Sequence, residues 1–205
     1  MVRKTKEEAA ATRLQLLDAA ERLFSEKGVS HTSLHEIALA AGLTRGAIYW
    51  HFEDKGDLLK AMWERVALPI HDAICSSNTN KLDPLTLIRS KVCWMADHIE
   101  EDPRIFALMN IVMLRCEFTD ETRSARDHFL HERETCQRHL LADFDTAIAT
   151  GALPPHTNAE HAMQGIFGLV DGICFHWLIQ PQAFCIRQVT HSSVDCFLAG
   201  LQRSR

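Results

Sequence analysis

The stretch from residue 32 to residue 52 constrains the fold more than any other part of the chain. It reads TSLHEIALAAGLTRGAIYWHF. Ser33, with Glu36 three residues later, forms a capping box that predicts the start of a helix. Gly42 predicts the end of that helix, because glycine enters the left-handed conformation at little cost. Thr44 then predicts the cap of a second helix over 45–52, and two short helices joined by such a turn form a helix-turn-helix.

The second helix of this motif has two different faces. Ile48 and Phe52 are four residues apart, so they share a face that is predicted to point to the core. The opposite face and its margins carry small, aromatic and hydrogen-bonding residues: Arg45, Gly46, Ala47, Tyr49, Trp50 and His51. A helix in the major groove needs small residues for close approach, an arginine to read a base edge and polar groups to hold phosphates. The pattern therefore predicts a DNA-recognition helix, and a plain amphipathic hairpin is the alternative.

Further DNA contacts are predicted on both sides of this helix. Lys55 lies at the start of the next helix, where the free N–H groups and the helix dipole favour a phosphate, although a surface lysine is the alternative. Arg3, Lys4 and Lys6 form a basic arm for phosphates or the minor groove, and an ordinary solvated terminus is equally open. The full candidate DNA-binding set is Thr32, Ser33, Thr44, Arg45, Gly46, Ala47, Tyr49, Trp50, His51 and Lys55.

These motifs carry a resemblance to a known family. The segment TRGAIYWHF, followed by Lys55 and preceded by AAERLFSEKG, resembles the DNA-binding domain of TetR-family repressors, in the AcrR-like branch that controls multidrug efflux genes. The resemblance covers about the first 65 residues, and CEFTDE at 116–121, VDG at 170–172 and Trp177 extend it. It implies a repressor that binds a palindromic operator as a homodimer through its last two helices and is released by small amphipathic or aromatic ligands.

The fold class is predicted to be all-α. Hydrophobic residues make up 46% of the chain, glycine and proline are few, and no alternating strand pattern or hairpin signal appears. The sequence has no apolar run of 18 residues, which predicts no membrane-spanning helix, and the first residues lack the apolar core of a secretory signal. Seven cysteines without a Cys-x-x-Cys pair favour reduced, buried thiols in a cytosol. Redox sensing by one of them stays open. The family resemblance implies a bacterial cytoplasmic protein that is associated with the nucleoid through operator binding.

About nine helices are predicted in two domains. A three-helix helix-turn-helix domain occupies 1–55, with its first helix over 6–27 ended by Gly28, and a helical ligand-binding and dimerisation domain occupies 56–205. A helix over 54–76, with a kink predicted at Pro69, is the only continuous link between them, and a loop over 76–83 follows it. The later helices are predicted from residue 84, from residue 103, over 119–150, over 159–179 and to about residue 203.

The second domain carries no recognisable catalytic set. It lacks a nucleophile elbow, a phosphate-binding glycine loop and a zinc-type Cys/His set, so no catalytic residue, metal or cofactor is predicted. His128 and His131 offer two metal ligands on one helical face, but such spacing is common on solvated helices.

Several residues of this domain are costly in a plain core. Gly165, Gly168 and Gly172 each cost about 1 kcal/mol in a helix relative to alanine, and Asp171 is an acid among apolar neighbours. Methionines adapt to varied ligands, although they also serve as ordinary core residues. Together these residues predict an apolar pocket among helices 4 to 8, with Asp171 as the anchor for cationic or hydroxylated ligands. Its candidate lining is Trp63, Ile88, Val92, Met95, Met109, Met113, Cys136, Leu140, Phe167, Val170 and Asp171.

The charge distribution limits the function classes. The formal net charge is -5, and residues 1–60 hold nine basic and nine acidic residues, so any nucleic-acid contact must be local and oriented. We expect a ligand-responsive repressor rather than an enzyme. The alternatives are an all-helical carrier or enzyme with an incidental helix-turn-helix, or an activator of the same family. The operator, the regulated genes and the inducer are not encoded in a readable motif.

Overall fold

The computed structural model describes residues 6–75 and 83–203, and at 67–75 it describes the backbone only. The predicted arm residues Arg3 and Lys4, the loop over 76–82 and the side chain of Pro69 lie outside these described residues. Every regular element within the described residues is helical. The all-α prediction is confirmed.

The first two helices have the predicted bounds and caps. Helix α1 spans Lys6–Lys27 and ends at Gly28, whose φ is 87°. Helix α2 spans Leu34–Ala40 and begins with the capping box, in which the Glu36 N–H donates to Ser33 Oγ at 3.2 Å and the Ser33 N–H donates to Glu36 Oε2 at 2.9 Å. Gly42 follows with φ 71°. Both left-handed glycines lie where a side chain would strain the backbone, which explains the two helix ends.

Helix α3 is shorter than predicted. It spans Arg45–Tyr49, whereas the sequence predicted a helix to residue 52. Thr44 has the extended backbone of an N-cap, but its side chain makes no capping hydrogen bond. The N–H groups of His51 and Phe52 both donate to the Ile48 carbonyl, so a turn closes the helix and carries Phe52 into the core.

The remaining helices follow short local signals. Helix α4 spans Lys55–Cys75 and α5 spans Pro84–His98, where the Thr86 N–H donates to the N-cap carboxylate of Asp83 at 3.0 Å. Helix α6 spans Pro103–Asn110, α7 spans Arg123–Ala149, α8 spans Ala159–Ile179 and α9 spans Ile186–Arg203. The predicted Asn158 cap of α8 is confirmed, since the His161 N–H donates to Asn158 Oδ1 at 2.9 Å.

Two irregular segments between α6 and α7 were not predicted. A π-helical turn spans Ile111–Arg115, and a 3-10 turn spans Asp120–Thr122 at the place where the sequence predicted the first turn of the long helix. The Thr119 backbone N–H donates to the Thr122 hydroxyl oxygen at 2.9 Å and so closes this turn. We call residues 111–122 the connecting segment.

The chain divides into two compact units, which differ from the predicted boundary at residue 55. The first unit contains the described residues up to Ala67 together with Arg104–Leu130. The connecting segment therefore belongs to the same unit as the helix-turn-helix, and the Val29 N–H donates to the Arg115 carbonyl at 3.0 Å. The helix-turn-helix domain therefore also contacts a later part of the chain through space, besides its continuous link to helix α4. The core of this unit includes Leu16, Phe24, Ile37, Ile48, Leu58, Leu59 and Met62.

The second unit contains the described residues of Leu68–Pro103 and His131–Arg205. Helices α5, α8 and α9 pack together there around a buried core that includes Ile88, Cys93, Leu140, Phe144, Ile166 and Val194. By length and composition alone, α8 could cross a membrane, which differs from the sequence-based expectation. Core helices pass the same test, and three residues of α8 (Ala162, Met163 and Ile166) are buried in this core.

Candidate nucleic-acid interface

Helix α3 is held by one face and leaves the other face exposed. Ile48 and Phe52 are 0% and 3% exposed, as predicted for the anchoring face. The guanidinium of Arg13 lies 5.2 Å from the centre of the Phe52 ring, which adds a cation–π contact from α1. On the opposite face Trp50 is 89% exposed and Tyr49 is half-exposed. Because one face of α3 is closely packed in the core, this five-residue helix holds the side chains of its other face in a fixed orientation.

Gly46 lies in the middle of this exposed face. A Cβ added at Gly46 would meet nothing within 4 Å, and its φ is not in the left-handed region. Neither packing within the chain nor backbone conformation therefore requires glycine here, although glycine costs about 1 kcal/mol in a helix. The neighbouring Arg45 is exposed as well. Contacts within the described residues therefore give no reason for glycine at this position.

Thr32 and Ser33 are engaged in local structure. The Thr32 hydroxyl donates to the Gly28 carbonyl at 2.8 Å, and Thr32 is only 2% exposed. The Ser33 hydroxyl is bonded to Glu36 within the capping box. The structure thus gives Thr32 a structural role beneath the surface, and the sequence analysis missed this because its acceptor lies in the preceding turn.

Lys55 is placed differently from a simple surface lysine. Its ammonium donates to the Val29 carbonyl at 3.1 Å and lies 2.9 Å from the Glu121 carboxylate, with the Lys55 side chain 13% exposed. Both partners are remote in sequence, so periodicity gave no signal for them.

An arginine that the sequence analysis missed fastens α4 to α1. The Arg65 guanidinium pairs with Asp18 at 2.6 Å and with Glu21. Arg65 is mostly covered, and burial raises the pKa of Glu21 despite the favourable charge of Arg65. By pairing with two carboxylates of α1, Arg65 fastens α4, the helix that follows the recognition helix.

Three of the predicted ligand-binding residues, Trp63, Met109 and Met113, lie in the first unit and are partly buried. The Trp63 ring packs on Phe129, with the ring centres 5.2 Å apart. Besides the Nε of Arg65, whose guanidinium is paired through its other nitrogens, three buried polar atoms of this unit lack a hydrogen-bond partner among the described residues: Trp63 Nε1, Asn110 Oδ1 and His128 Nε2. Buried polar atoms are normally paired, so these atoms are candidates to bind a ligand. Asn110 interrupts the apolar run 105–114, a signal that the sequence analysis overlooked.

The other predicted ligand-binding residues belong to the second unit. Ile88 and Leu140 are fully enclosed in its core, and Val92, Phe167 and Val170 pack against that core. Met95 and Cys136 are partly buried. Core packing accounts for the apolar residues of this group without a ligand.

Asp171, for which the sequence left open either a charged partner or a wet cavity, is paired and only partly buried. Its carboxylate pairs with the Arg133 guanidinium at 2.6 Å, and both side chains are 43% exposed. The same guanidinium lies 5.2 Å from the centre of the Phe167 ring. Asp171 is therefore neutralised by a neighbour on α7, and a cationic ligand would have to displace Arg133.

The glycines of α8 line its exposed side. Gly165, Gly168 and Gly172 are all exposed, and a Cβ at Gly168 or Gly172 would meet nothing within 4 Å. At Gly165 a Cβ would come within 3.1 Å of the Phe197 ring on α9. The open space beside α8 leaves room for another helix to approach closely.

The buried thiols are poor candidates for redox chemistry. Burial raises the pKa of Cys93 and of Cys116 to about 11 and that of Cys174 to about 12. The nucleophilic form is the thiolate, and these raised pKa values disfavour it near neutral pH. Within the described part of the chain, no group of three or more metal-binding side chains could hold a metal ion.

Two family models match the chain. The model for bacterial regulatory proteins of the tetR family matches residues 16–62, and the model for the C-terminal region of MAATS-type transcriptional repressors matches residues 83–203. Among curated proteins, the HTH-type transcriptional regulator TtgR of Pseudomonas putida is 37% identical, over 100% of this chain and 98% of its own.

Solved structures are also similar along the whole chain. NalD, the secondary repressor of the MexAB-OprM multidrug efflux pump in Pseudomonas aeruginosa, has a TM-score of 0.82 and 31% identity over 98% of this chain and 100% of its own. The SmeT–triclosan complex has a TM-score of 0.76 and 30% identity over 93% of this chain and 91% of its own. SmeT is the repressor of the Stenotrophomonas maltophilia multidrug efflux pump SmeDEF.

Proposed function

Because this chain belongs to the tetR family of bacterial regulatory proteins, we propose that it is a transcriptional repressor of a multidrug efflux operon. The observation that carries the proposal is the exposed face of α3, where Gly46 and Trp50 project from a helix anchored by Ile48 and Phe52. The family agrees with the names of curated relatives, which describe transcriptional regulators, and the efflux-repressor branch agrees with the solved structures of NalD and SmeT. This agreement favours a regulator over a carrier or an enzyme, and operator binding implies a place in the bacterial cytoplasm.

In this proposal α3 lies in the major groove. Arg45, the long donor nearest its N-terminus, reads a guanine by a bidentate pair. Thr44, Tyr49, His51 and Lys55 contribute phosphate or groove contacts. Gly46 and Ala47 let the helix axis approach the bases. Thr32 and Ser33 serve this surface indirectly, by fixing the start of α2.

The protein is proposed to act as a homodimer through α8 and α9. The glycine-lined, exposed side of α8 offers close approach, and Phe175 and Ile179 on α8 are exposed hydrophobic residues that a partner would cover. A two-fold dimer would present two copies of α3 to half-sites one DNA turn apart or a multiple of it, so the operator would be palindromic.

A small amphipathic or aromatic molecule is proposed to release the operator. The complex of SmeT with triclosan supports a ligand of this kind. In the second unit Phe167, Val170 and Asp171 would contact the ligand. Arg133 would give up its ion pair with Asp171 when the ligand binds. Half-exposed ion pairs contribute only about 0–1 kcal/mol, so such an exchange costs little. In the first unit Trp63, Asn110 and His128 each carry a buried polar atom that has no hydrogen-bond partner among the described residues.

The operator-binding proposal is tested by blocking the groove-facing surface without disturbing the fold. The variant Gly46→Val places a branched side chain where the chain itself has open space. We expect its melting temperature to match that of the wild type, while protection of a palindromic segment upstream of its own gene in a DNase footprint is lost. Equal footprints for both proteins, or wild-type protection of unrelated DNA at the same concentration, would contradict the proposal.

A further inference from the structure

Lys55 is held between two parts of the first unit that are distant in sequence. Its ammonium donates to the Val29 carbonyl at 3.1 Å, in the turn between α1 and α2, and pairs with the Glu121 carboxylate at 2.9 Å, in the connecting segment. The Lys55 side chain is 13% exposed, whereas Glu121 is 69% exposed. These two contacts therefore keep Lys55 mostly buried, while its acidic partner Glu121 is exposed to water.

The connecting segment also touches the start of α4 and the turn after α1 by close backbone contacts. A Cβ added at Gly56 would lie 3.4 Å from the Glu121 carbonyl of this segment and 2.3 Å from the Oγ of Ser124, which follows the segment in α7. The backbone bond from the Val29 N–H to the Arg115 carbonyl fastens the other end of the segment. Between these attachments lies an open cavity of about 370 Å³, lined by Val29, Ser30, Lys55, Thr119, Asp120, Glu121 and Thr122.

The position of the Lys55 ammonium also suits the binding of an anion. The first turn of a helix favours an anion, and Lys55 lies at the first residue of α4. An ammonium has three N–H donors, but a nearly covered side chain paired with a carboxylate leaves little access for a phosphate. A phosphate brought close to Lys55 would also be repelled by the adjacent Glu121 carboxylate.

We propose that Glu121 competes with an operator phosphate for the ammonium of Lys55. The inference rests on the proposed operator binding and adds to it a residue outside the helix-turn-helix that weakens that binding. In the free protein the ion pair with Glu121 holds Lys55 against the connecting segment. On the operator the ammonium leaves Glu121 for the phosphate, and the energy of the ion pair is lost from the binding energy.

The test is a double-mutant cycle on operator affinity, measured by fluorescence anisotropy with a labelled operator duplex at several salt concentrations. Glu121→Gln removes the competing charge, and we expect it to tighten operator binding about two- to fivefold, the range for a partly exposed ion pair. Lys55→Gln should weaken binding and lower the salt slope by about one unit. On the Lys55→Gln background, Glu121→Gln should have no effect.

Two further variants distinguish the effect of the Lys55–Glu121 ion pair from general charge effects. Asp120→Asn removes a neighbouring carboxylate that pairs locally with Arg123 and should leave operator affinity unchanged. Glu121→Asp keeps the charge but shortens its reach, so it should tighten binding, and it does so without altering Lys55. Melting curves verify that each variant is folded.

Four results would overturn the competition. These are an equal gain from Asp120→Asn, a gain from Glu121→Gln that persists without Lys55, no gain from either Glu121 variant, and an unchanged salt slope in Lys55→Gln. Failure of the wild type to prefer the operator over scrambled DNA would instead refute the proposed function, and the competition with it.

Discussion

Replacing the Thr32 hydroxyl by a methyl group separates a structural role from a DNA contact. The variant Thr32→Val keeps the branched shape but removes the donor that bonds the Gly28 carbonyl at 2.8 Å, at a site only 2% exposed. A buried acceptor left without this partner costs about 1–3 kcal/mol. For a chain of this length, each 1 kcal/mol lowers the melting temperature by about 2–4 °C. We therefore expect a measurable loss of stability with unchanged operator affinity of the folded protein.

The matched control is Thr44→Val, the same chemical change at an exposed position. Thr44 makes no side-chain capping bond, so its replacement should change the free energy of unfolding by no more than about 0.5 kcal/mol. The same replacement should reduce operator affinity. Thermal melts followed by circular dichroism and operator titrations by anisotropy measure both properties for each variant. If Thr32→Val instead retains full stability and loses operator affinity, the structural role assigned to Thr32 is wrong.

Three further predictions concern specificity, pH and ligand charge. Arg45→Ala should cost about 1–3 kcal/mol in operator binding and relax selectivity at one base position, and an equal loss on scrambled DNA would exclude base reading. The backbone N–H of Ser33 is the main cause that lowers the pKa of Glu36 to about 2 from its ordinary value of 4.5. The stabilisation of the fold by the ionised Glu36 carboxylate is therefore complete above pH 4.5 and is lost as the pH falls towards 2. The difference in melting temperature between the wild type and Glu36→Gln should shrink over that range. Asp171→Ala frees Arg133, so in calorimetric titrations it should weaken the binding of the cation 1-naphthylmethylamine and strengthen the binding of the anion 1-naphthoate, while operator affinity stays the same. Unchanged affinities for both compounds would show that Asp171 and Arg133 do not belong to the ligand site.

Local signals in the sequence predicted helix bounds well. The capping box at Ser33 and the left-handed glycines Gly28 and Gly42 depend only on residues a few positions apart, and the structure places all of them as expected. The buried face of α3 was predictable for the same reason, because Ile48 and Phe52 are one helical turn apart.

Long-range partners could not be predicted in this way. Lys55 meets Glu121, and Asp171 meets Arg133, across 66 and 38 positions, and no periodicity in one element reports the charge that another element brings to it. The π-helical turn at Ile111–Arg115 gave no cue either, since its residues are as apolar as those of a regular helix. The features that the sequence did not predict are therefore those in which a contact between distant segments gives a side chain its partner.

The most direct test of the proposed function measures operator and ligand binding on the same wild-type protein. An anisotropy titration of a labelled duplex from upstream of its own gene is repeated with increasing triclosan. Our account predicts one dimer per palindromic site and an operator Kd that rises at least fivefold, which corresponds to a coupling of about 1 kcal/mol or more. By linkage, a saturating operator must weaken triclosan by the same factor. Tight binding of both molecules without mutual weakening would contradict the account, as would a duplex bound no better than its scrambled version.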